Sequence, residues 1–277
     1  MSSVEDHYAA ASATDGIVTR IIAAVRALEG EGQVTPATLA PFDHFHGRGL
    51  QATRDMVALL EPQADETILD IGSGIGGPAR WIAATFGCKV TGVDLTAAFC
   101  EAARQFTALT GQTDRVTIVE ASALDLPFPA EKFDRAYSQN VLMNIEDKAR
   151  VYREAFRMLK PGGRVVLSNL AAGPNGPPYF PVPWASLPQN SFLATDAETR
   201  RDLEAAGFRI VRFDDTTAES LVANVAARRR VEMDGLPPTG PHVLMGEERF
   251  REMVINGARS VEDGRVRSVE IMAKKPL

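Results

Sequence analysis

The chain has 277 residues, of which 45% are hydrophobic and 24% are charged. This balance is typical of a globular protein and excludes a collagen-like fibre, a coiled coil and a chain that is disordered throughout. Lys and Arg number 30 against 36 Asp and Glu, a net charge of −6, which argues against a nucleic-acid or anionic-membrane partner attracted by a long-range field.

The N-terminal segment, residues 1–62, is predicted to be a helical cap. Its helix signals are the apolar spacing of IVTRIIAAVRAL (17–28), the cap-plus-proline start Thr35-Pro36, and the amphipathic GLQATRDMVALL (49–60). The first sixteen residues lack the basic start and apolar core of a secretory signal, and no stretch approaches the roughly 18 apolar residues that cross a membrane. We therefore expect a cytoplasmic protein without a membrane partner.

Residues 63–277 are predicted to form a doubly wound α/β core. Strand-like and helix-like segments alternate from residue 66 to residue 168, which predicts a mostly parallel sheet with helices on both faces. The strand-like segments are 66–71, 88–93, 115–119, 133–138 and 164–168, followed by 208–213 and 265–275 at the edge of the same seven-stranded sheet. Capping boxes are predicted at 195–198 and 216–219, and another helix at 247–256.

A segment rich in proline, residues 171–194, is predicted to be a lid over the substrate. GPNGPPYFPVPWASLPQ contains six prolines and can form neither a regular helix nor a central strand. Long irregular loops in compact domains are usually lids or binding loops. Tyr179, Phe180 and Trp184 are therefore candidates for the wall of a substrate pocket, and a rigid surface loop pinned by its aromatic side chains is the alternative.

The first strand ends in the glycine-rich turn Leu69-Asp70-Ile71-Gly72-Ser73-Gly74-Ile75-Gly76-Gly77. Glycines let the backbone turn tightly and let a ligand approach, and Asp94 at the end of the second strand is placed to accept both hydroxyls of a ribose. The same glycines satisfy the dinucleotide pattern, so an NAD-dependent oxidoreductase stays open. Asp70 argues against it, because a carboxylate two residues before the first glycine suits a cationic ligand better than a pyrophosphate.

LDIGSGIGGPARWIA, VTGVDLT, ASALDLPFPAEKFD and LKPGGRVVLS, in this order, resemble class I S-adenosylmethionine-dependent methyltransferases over about residues 67–170. PFDHFHGRGLQAT and YSQNVLMNIEDKARVYREAFRMLKPGG resemble the small-molecule subgroup that includes sarcosine/dimethylglycine N-methyltransferases. The resemblance implies S-adenosylmethionine as the cofactor and a small molecule as the methyl acceptor. N-methylation of an amine or nitrogen heterocycle ranks first, and O- or C-methylation second.

The resemblance also implies roles for individual residues. Those expected around the cofactor are Asp70, Gly72, Ser73, Gly74 and Gly76 at its methionine part, Asp94 at the ribose, Leu95, Ala121, Ser122 and Ala123 at the adenine, and Gln139 near the sulfonium. Many relatives carry Asp where this chain has Ser122, and a neutral hydroxyl should contribute less than a carboxylate there.

Four residues are candidates for contact with the methyl acceptor: His46, Gln139, Tyr179 and Trp184. His44 and Arg48 flank His46 in the segment DHFHGR, which could itself be a lid or a substrate contact. Arg48 could pair with a carboxylate of the substrate or of the cofactor. A metal site is not expected, because no other His cluster could complete one formed by Asp43, His44 and His46. A non-catalytic cofactor-binding protein and a homodimer both stay open.

Overall fold

The computed structural model describes residues 16–30, 32–44 and 48–277. Its helices and strands follow the predicted order. The helices are α1 Ile17–Glu29, α2 Pro36–Asp43, α3 Gly49–Leu60, α4 Gly77–Phe86, α5 Ala97–Leu109, α6 Lys148–Met158, α7 Asp196–Ala205, α8 Thr217–Met233, α9 His242–Met245 and α10 Glu247–Glu262. Within these described ranges, no helix is long and apolar enough to cross a membrane.

Seven strands form one sheet in the order β3-β2-β1-β4-β5-β7-β6. They are β1 Thr67–Ile71, β2 Lys89–Asp94, β3 Val116–Glu120, β4 Phe133–Gln139, β5 Leu159–Ala172, β6 Arg209–Asp215 and β7 Val266–Lys274. The first five strands pair in parallel, and β7 runs antiparallel between β5 and β6. The predicted doubly wound, mostly parallel seven-stranded sheet is confirmed.

Helices cover both faces of this sheet. Helices α3, α4 and α5 bury Met56, Ile82 and Cys100 on one face, and α6 and α7 bury Tyr152 and Leu203 on the other. The amphipathic spacing seen in the sequence is the cause, because each helix places one apolar stripe against the sheet. The two layers leave the carboxyl ends of the parallel strands open at one edge, where ligands bind in sheets of this kind.

The N-terminal segment divides into a cap and a sheet-facing helix. Helices α1 and α2 pack with Phe106 of α5 and Leu244 of α9, above the strand ends. Helix α3 instead contributes Met56, Val57 and Leu60 to the core that contains β1. Within the described residues, α1 and α2 thus form a layer above the strand ends, whereas the apolar stripe of α3 faces the sheet.

Two local predictions need correction. The capping box at 195–198 is present, since Thr195 and Glu198 exchange side-chain and backbone hydrogen bonds. The box predicted at 216–219 is wrong, because the side chain of Thr216 caps nothing and Asp215 Oδ1 accepts from the backbone of Thr217 instead. Helix α10 also continues to Glu262, beyond the predicted end at residue 256.

Candidate active site

The glycine-rich turn links β1 to the second strand. The backbone N–H groups of Gly72 and Ser73 both donate to the carbonyl of Val93, over 2.8 and 2.9 Å. Gly72 has a φ of +82°, and a Cβ there would lie 2.3 Å from the side chain of Val141. Gly74 has a φ of +53° and open space within 4 Å of where a Cβ would stand. Gly72 is therefore required by packing, and Gly74 by backbone conformation and by whatever occupies the cavity beside it.

Asp94 joins this turn to the end of β2. Its Oδ2 accepts from the Gly74 backbone N–H at 2.8 Å, and its Oδ1 accepts from that of Thr96 at 2.9 Å. Burial raises the pKa of the carboxyl, and these backbone donors oppose the increase. A carboxylate oxygen accepts more than one hydrogen bond, so Asp94 can shape the turn and still accept from ribose hydroxyls.

Asp70, four positions before Gly74, is a buried carboxyl that faces the same cavity. Its Oδ2 has no hydrogen-bond partner among the described residues, although the Tyr137 hydroxyl lies near the carboxyl. Burial raises the pKa of Asp70 to about 7, Tyr137 opposes the shift, and Asp94 adds to it. A cationic ligand group would supply the partner that Asp70 lacks.

Leu95, Ala121, Ser122 and Ala123 lie together along the neighbouring wall of the cavity. Leu95 is half exposed, so its side chain is free to pack against a flat apolar ligand. The hydroxyl of Ser122 accepts from the backbone N–H of Leu124 at 3.2 Å, which turns the chain after β3. The four residues predicted to line the adenine therefore lie together. The Ser122 hydroxyl among them already accepts a hydrogen bond from its own loop.

A chain of buried hydrogen bonds runs from α3 to the end of β4. The Thr53 hydroxyl donates to Oε1 of Gln139 at 3.1 Å and lies 3.0 Å from Nδ1 of His44. Since the hydroxyl has one proton, His44 Nδ1 must donate to it. Burial, followed by the charge of Arg80, lowers the pKa of His44 to about 4, so this imidazole is neutral near pH 7. His46, the predicted catalytic histidine, lies outside the described residues.

The side chains and glycines predicted for the cofactor line one cavity of about 770 Å³, together with His44, and of that predicted set only Gly76 is not among the described lining residues. Trp184 of the loop after β5 and helices α9 and α10 add a mainly apolar wall to this cavity. The apolar side chains of that wall are Trp184, Leu244, Met245, Phe250, Met253 and Val261. Reasoning from the sequence missed α9 and α10 as walls, because their amphipathic pattern alone does not show which cavity the apolar stripe faces.

The structure places the two aromatic candidates differently. Trp184 lines the cavity but is only 5% exposed, and its indole N–H donates to Ser191 Oγ at 2.9 Å. Tyr179 does not line the cavity: its hydroxyl donates to Asp263 at 2.8 Å, and its ring lies under the Arg265 guanidinium. Tyr179 therefore anchors the loop to α10 instead of contacting a substrate, while the predicted lid reaches the cavity through Pro183, Trp184 and Phe192.

Replacing Trp184 by Phe should impair acceptor turnover while leaving cofactor affinity near that of the wild type. The smaller ring opens the acceptor wall, and loss of the hydrogen bond to Ser191 costs about 1 kcal/mol of stability. Steady-state kinetics and calorimetry with the cofactor would measure both effects. Trp81→Phe is the matched control, because Trp81 packs on Phe86 and does not line the cavity. Equal losses for both ligands would assign Trp184 to the cofactor pocket or to the scaffold alone.

Replacing Asp94 by Ala should weaken cofactor binding at least tenfold. The substitution removes acceptors for two ribose hydroxyls, and each charge-assisted hydrogen bond contributes roughly 1.5–3 kcal/mol. Glu120→Ala is the matched control: Glu120 pairs with Asp94 in register on β3 but is exposed and outside the cavity. Titration calorimetry on folded protein decides the matter, and unchanged affinity would remove Asp94 from the binding site.

Comparison with known proteins agrees with this geometry. Residues 69–167 match a family model described as a methyltransferase domain. This part of the chain is therefore similar to methyltransferase domains. The matched residues run from β1 to β5 and include Asp70, Gly72, Gly74, Asp94 and Gln139.

The chain also resembles curated proteins in sequence and a solved one in fold. O-methyltransferase resE of Aspergillus sclerotiorum is 31% identical over 59% of this chain and 62% of its own length. Sarcosine/dimethylglycine N-methyltransferase of Halorhodospira halochloris is 31% identical over 55% of each chain. This chain thus spans less than two thirds of either relative. A Haemonchus contortus phosphoethanolamine N-methyltransferase structure, solved with S-adenosylhomocysteine, has a TM-score of 0.73 at 21% identity and covers 98% of this chain and 61% of that one.

Proposed function

We propose that this protein transfers a methyl group from S-adenosylmethionine to a nitrogen atom of a small molecule, an amine or a nitrogen heterocycle. The observation that carries the proposal is the single cavity in which a glycine-rich turn and two carboxylates at one end meet an apolar wall at the other. The matched methyltransferase domain supports the same reaction class. The net charge of −6 supports an enzyme that acts without a nucleic-acid partner.

The residues present fit this cofactor. The carboxyl of Asp70, buried and without a hydrogen-bond partner at Oδ2, would hold the ammonium of the methionine part. Asp94 would accept from the ribose, and Leu95, Ala121, Ser122 and Ala123 would line the adenine. When bound, S-adenosylmethionine supplies a methyl group already activated by the sulfonium.

The remaining task of the protein is to position the acceptor and exclude water. Gln139 would contribute here, because Thr53 fixes its Oε1 and its buried Nε2 has no partner in the described chain. The apolar wall, including Trp184, would hold the body of the acceptor. A nitrogen acceptor that arrives neutral needs no strong base, which suits a site whose buried His44 is neutral near pH 7.

The decisive test is incubation of the purified protein with methyl-labelled S-adenosylmethionine and a metabolite extract, followed by identification of the labelled product. We expect the label on nitrogen. A new methyl on oxygen, carbon or sulfur would refute N-methylation and keep the reaction class. Stabilisation by NAD but not by S-adenosylmethionine in a thermal-shift assay would favour the oxidoreductase, and cofactor binding without turnover would favour a non-catalytic protein.

A further inference from the structure

A row of polar side chains crosses three adjacent strands, β4, β5 and β7. These strands lie on the side of the cavity away from β2 and β3, which we call the acceptor half. Gln139 of β4 pairs in register with Ser168 of β5, which pairs with Glu270 of β7. All three line the cavity, and none is more than 8% exposed. The row faces α3, because Gln139 accepts from Thr53 and Glu270 lies beside Arg48 at the start of that helix. Adjacent strands lie about 4.8 Å apart, which places the backbones of Gln139 and Glu270 roughly 10 Å apart.

Glu270 is the charged member of this row, and its carboxylate has an ion-pair neighbour but no hydrogen bond within the described residues. Its Oε1 lies 3.8 Å from Nη2 of Arg48, which is too far for a hydrogen bond. That guanidinium instead makes a short hydrogen bond to Asp55. No hydrogen bond to the Glu270 carboxylate is found among residues 16–30, 32–44 and 48–277. A carboxylate that is 7% exposed and has no hydrogen bond is costly to maintain unless a ligand supplies the donor.

The charges around Glu270 leave this end of the cavity negative. Arg48 is shared between Asp55 and Glu270, so one carboxylate is in excess. Burial raises the pKa of Glu270 to about 7, Asp55 and Asp214 add to the shift, and Arg48 and Arg212 oppose it. The Glu270 side chain is therefore a carboxylate above about pH 7 and becomes neutral as the pH falls below it. A cation that enters the site would therefore meet a charged carboxylate only above about pH 7.

We infer that Glu270 is a specificity-determining residue that binds a cationic, hydrogen-bond-donating group of the methyl acceptor, such as an ammonium, while the apolar wall holds the acceptor's body. The inference rests on the proposed methyltransferase function and narrows its substrate class. The group at Glu270 is a handle separate from the reacting nitrogen, because the reacting nitrogen must present an unprotonated lone pair. The acceptor class is thus an apolar molecule with a second basic nitrogen or an equivalent cation.

Binding of three probes with one body and different ends tests this inference: 4-phenylbutylamine, 4-phenylbutan-1-ol and 4-phenylbutanoate. Each is titrated calorimetrically into the full chain, with and without S-adenosylhomocysteine, at about pH 8.5, where the probe amine is charged and Glu270 is ionised. We expect the amine to bind at least about tenfold more tightly than the alcohol, with the carboxylate weakest. Glu270→Gln should abolish this preference, and so should lowering the pH of the wild type to about 5.5.

The matched control is Glu146→Gln, because Glu146 also lines the cavity but is exposed; it should keep the preference. Circular dichroism and S-adenosylhomocysteine affinity show that each variant is folded. Glu270→Asp, which keeps the charge, should retain part of the preference if Glu270→Gln does not fold. Failure to bind S-adenosylhomocysteine would count against the proposed function alone. A wild type that binds no amine or prefers the carboxylate, or a preference that survives in Glu270→Gln, would overturn the role of Glu270.

Discussion

Replacing Arg80 by Met should lower the free energy of unfolding by about 3–5 kcal/mol, because it leaves a carboxylate buried without its counter-ion. The Arg80 side chain is completely buried and that of Asp43 almost completely. Nη2 of Arg80 lies 2.5 Å from Oδ1 of Asp43. The other terminal nitrogen of Arg80 donates to the carbonyl of Ile75 at 2.7 Å. This one side chain therefore ties the end of α2 to the glycine-rich turn, and its loss should also weaken cofactor binding.

Urea denaturation of three variants measures the effect. Arg201→Met is the control, because Arg201 forms an exposed ion pair with Asp202 and its replacement should leave stability close to that of the wild type. Combining Arg80→Met with Asp43→Asn should recover part of the loss, since no buried charge remains unpaired. A single variant as stable as the wild type would show that the pair contributes nothing net to the fold.

Replacing Gly74 by Val should weaken cofactor binding more than replacing Asp94 by Ala. A β-branched residue resists the φ of +53° at this position, and its side chain would extend into the cavity beside the turn. Apart from its chain neighbours, no atom of the described residues lies within 4 Å of the new Cβ, so the added side chain would conflict chiefly with the bound ligand. The variant should therefore lose only a moderate part of its free energy of unfolding but most of its affinity for the cofactor. Denaturation and cofactor calorimetry measure the two effects.

Gly111 offers a matched control for the backbone effect. It has a φ of +68°, it is exposed on a surface turn, and it too has open space around the position of a Cβ. Gly111→Val should lower stability by about 1–3 kcal/mol, as Gly74→Val does, and leave cofactor affinity unchanged. If both variants bound the cofactor equally well, the turn after β1 would not approach the ligand and the proposed binding mode would be wrong.

The local signals in the sequence were sufficient for most of the elements and for bringing the glycine-rich turn and Asp94 to one edge of the sheet. Strand and helix periods depend on neighbouring residues only, so segments such as 133–138 and 247–256 could be recognised without tertiary information. The glycine-rich turn and Asp94 follow the ends of consecutive parallel strands, and such ends meet at one edge of the sheet whatever surrounds them. The Thr216 capping box failed: Asp215, one residue earlier, accepts from the first backbone N–H of α8, and the Thr216 side chain makes no capping hydrogen bond.

The acceptor half depended on contacts between distant parts of the chain, and only the tertiary structure decided it. Glu270 reads in the sequence as one polar residue in an alternating tail, RVRSVEIMAKK. It faces the cavity because β7 inserts between β5 and β6 and brings it beside Ser168, about a hundred residues earlier. Tyr179 and Trp184 are five residues apart in one loop, yet Asp263 holds the first on the surface while Ser191 holds the second against the cavity. Sequence spacing determines which face of an element is apolar, whereas strand order and loop anchoring determine what that face meets.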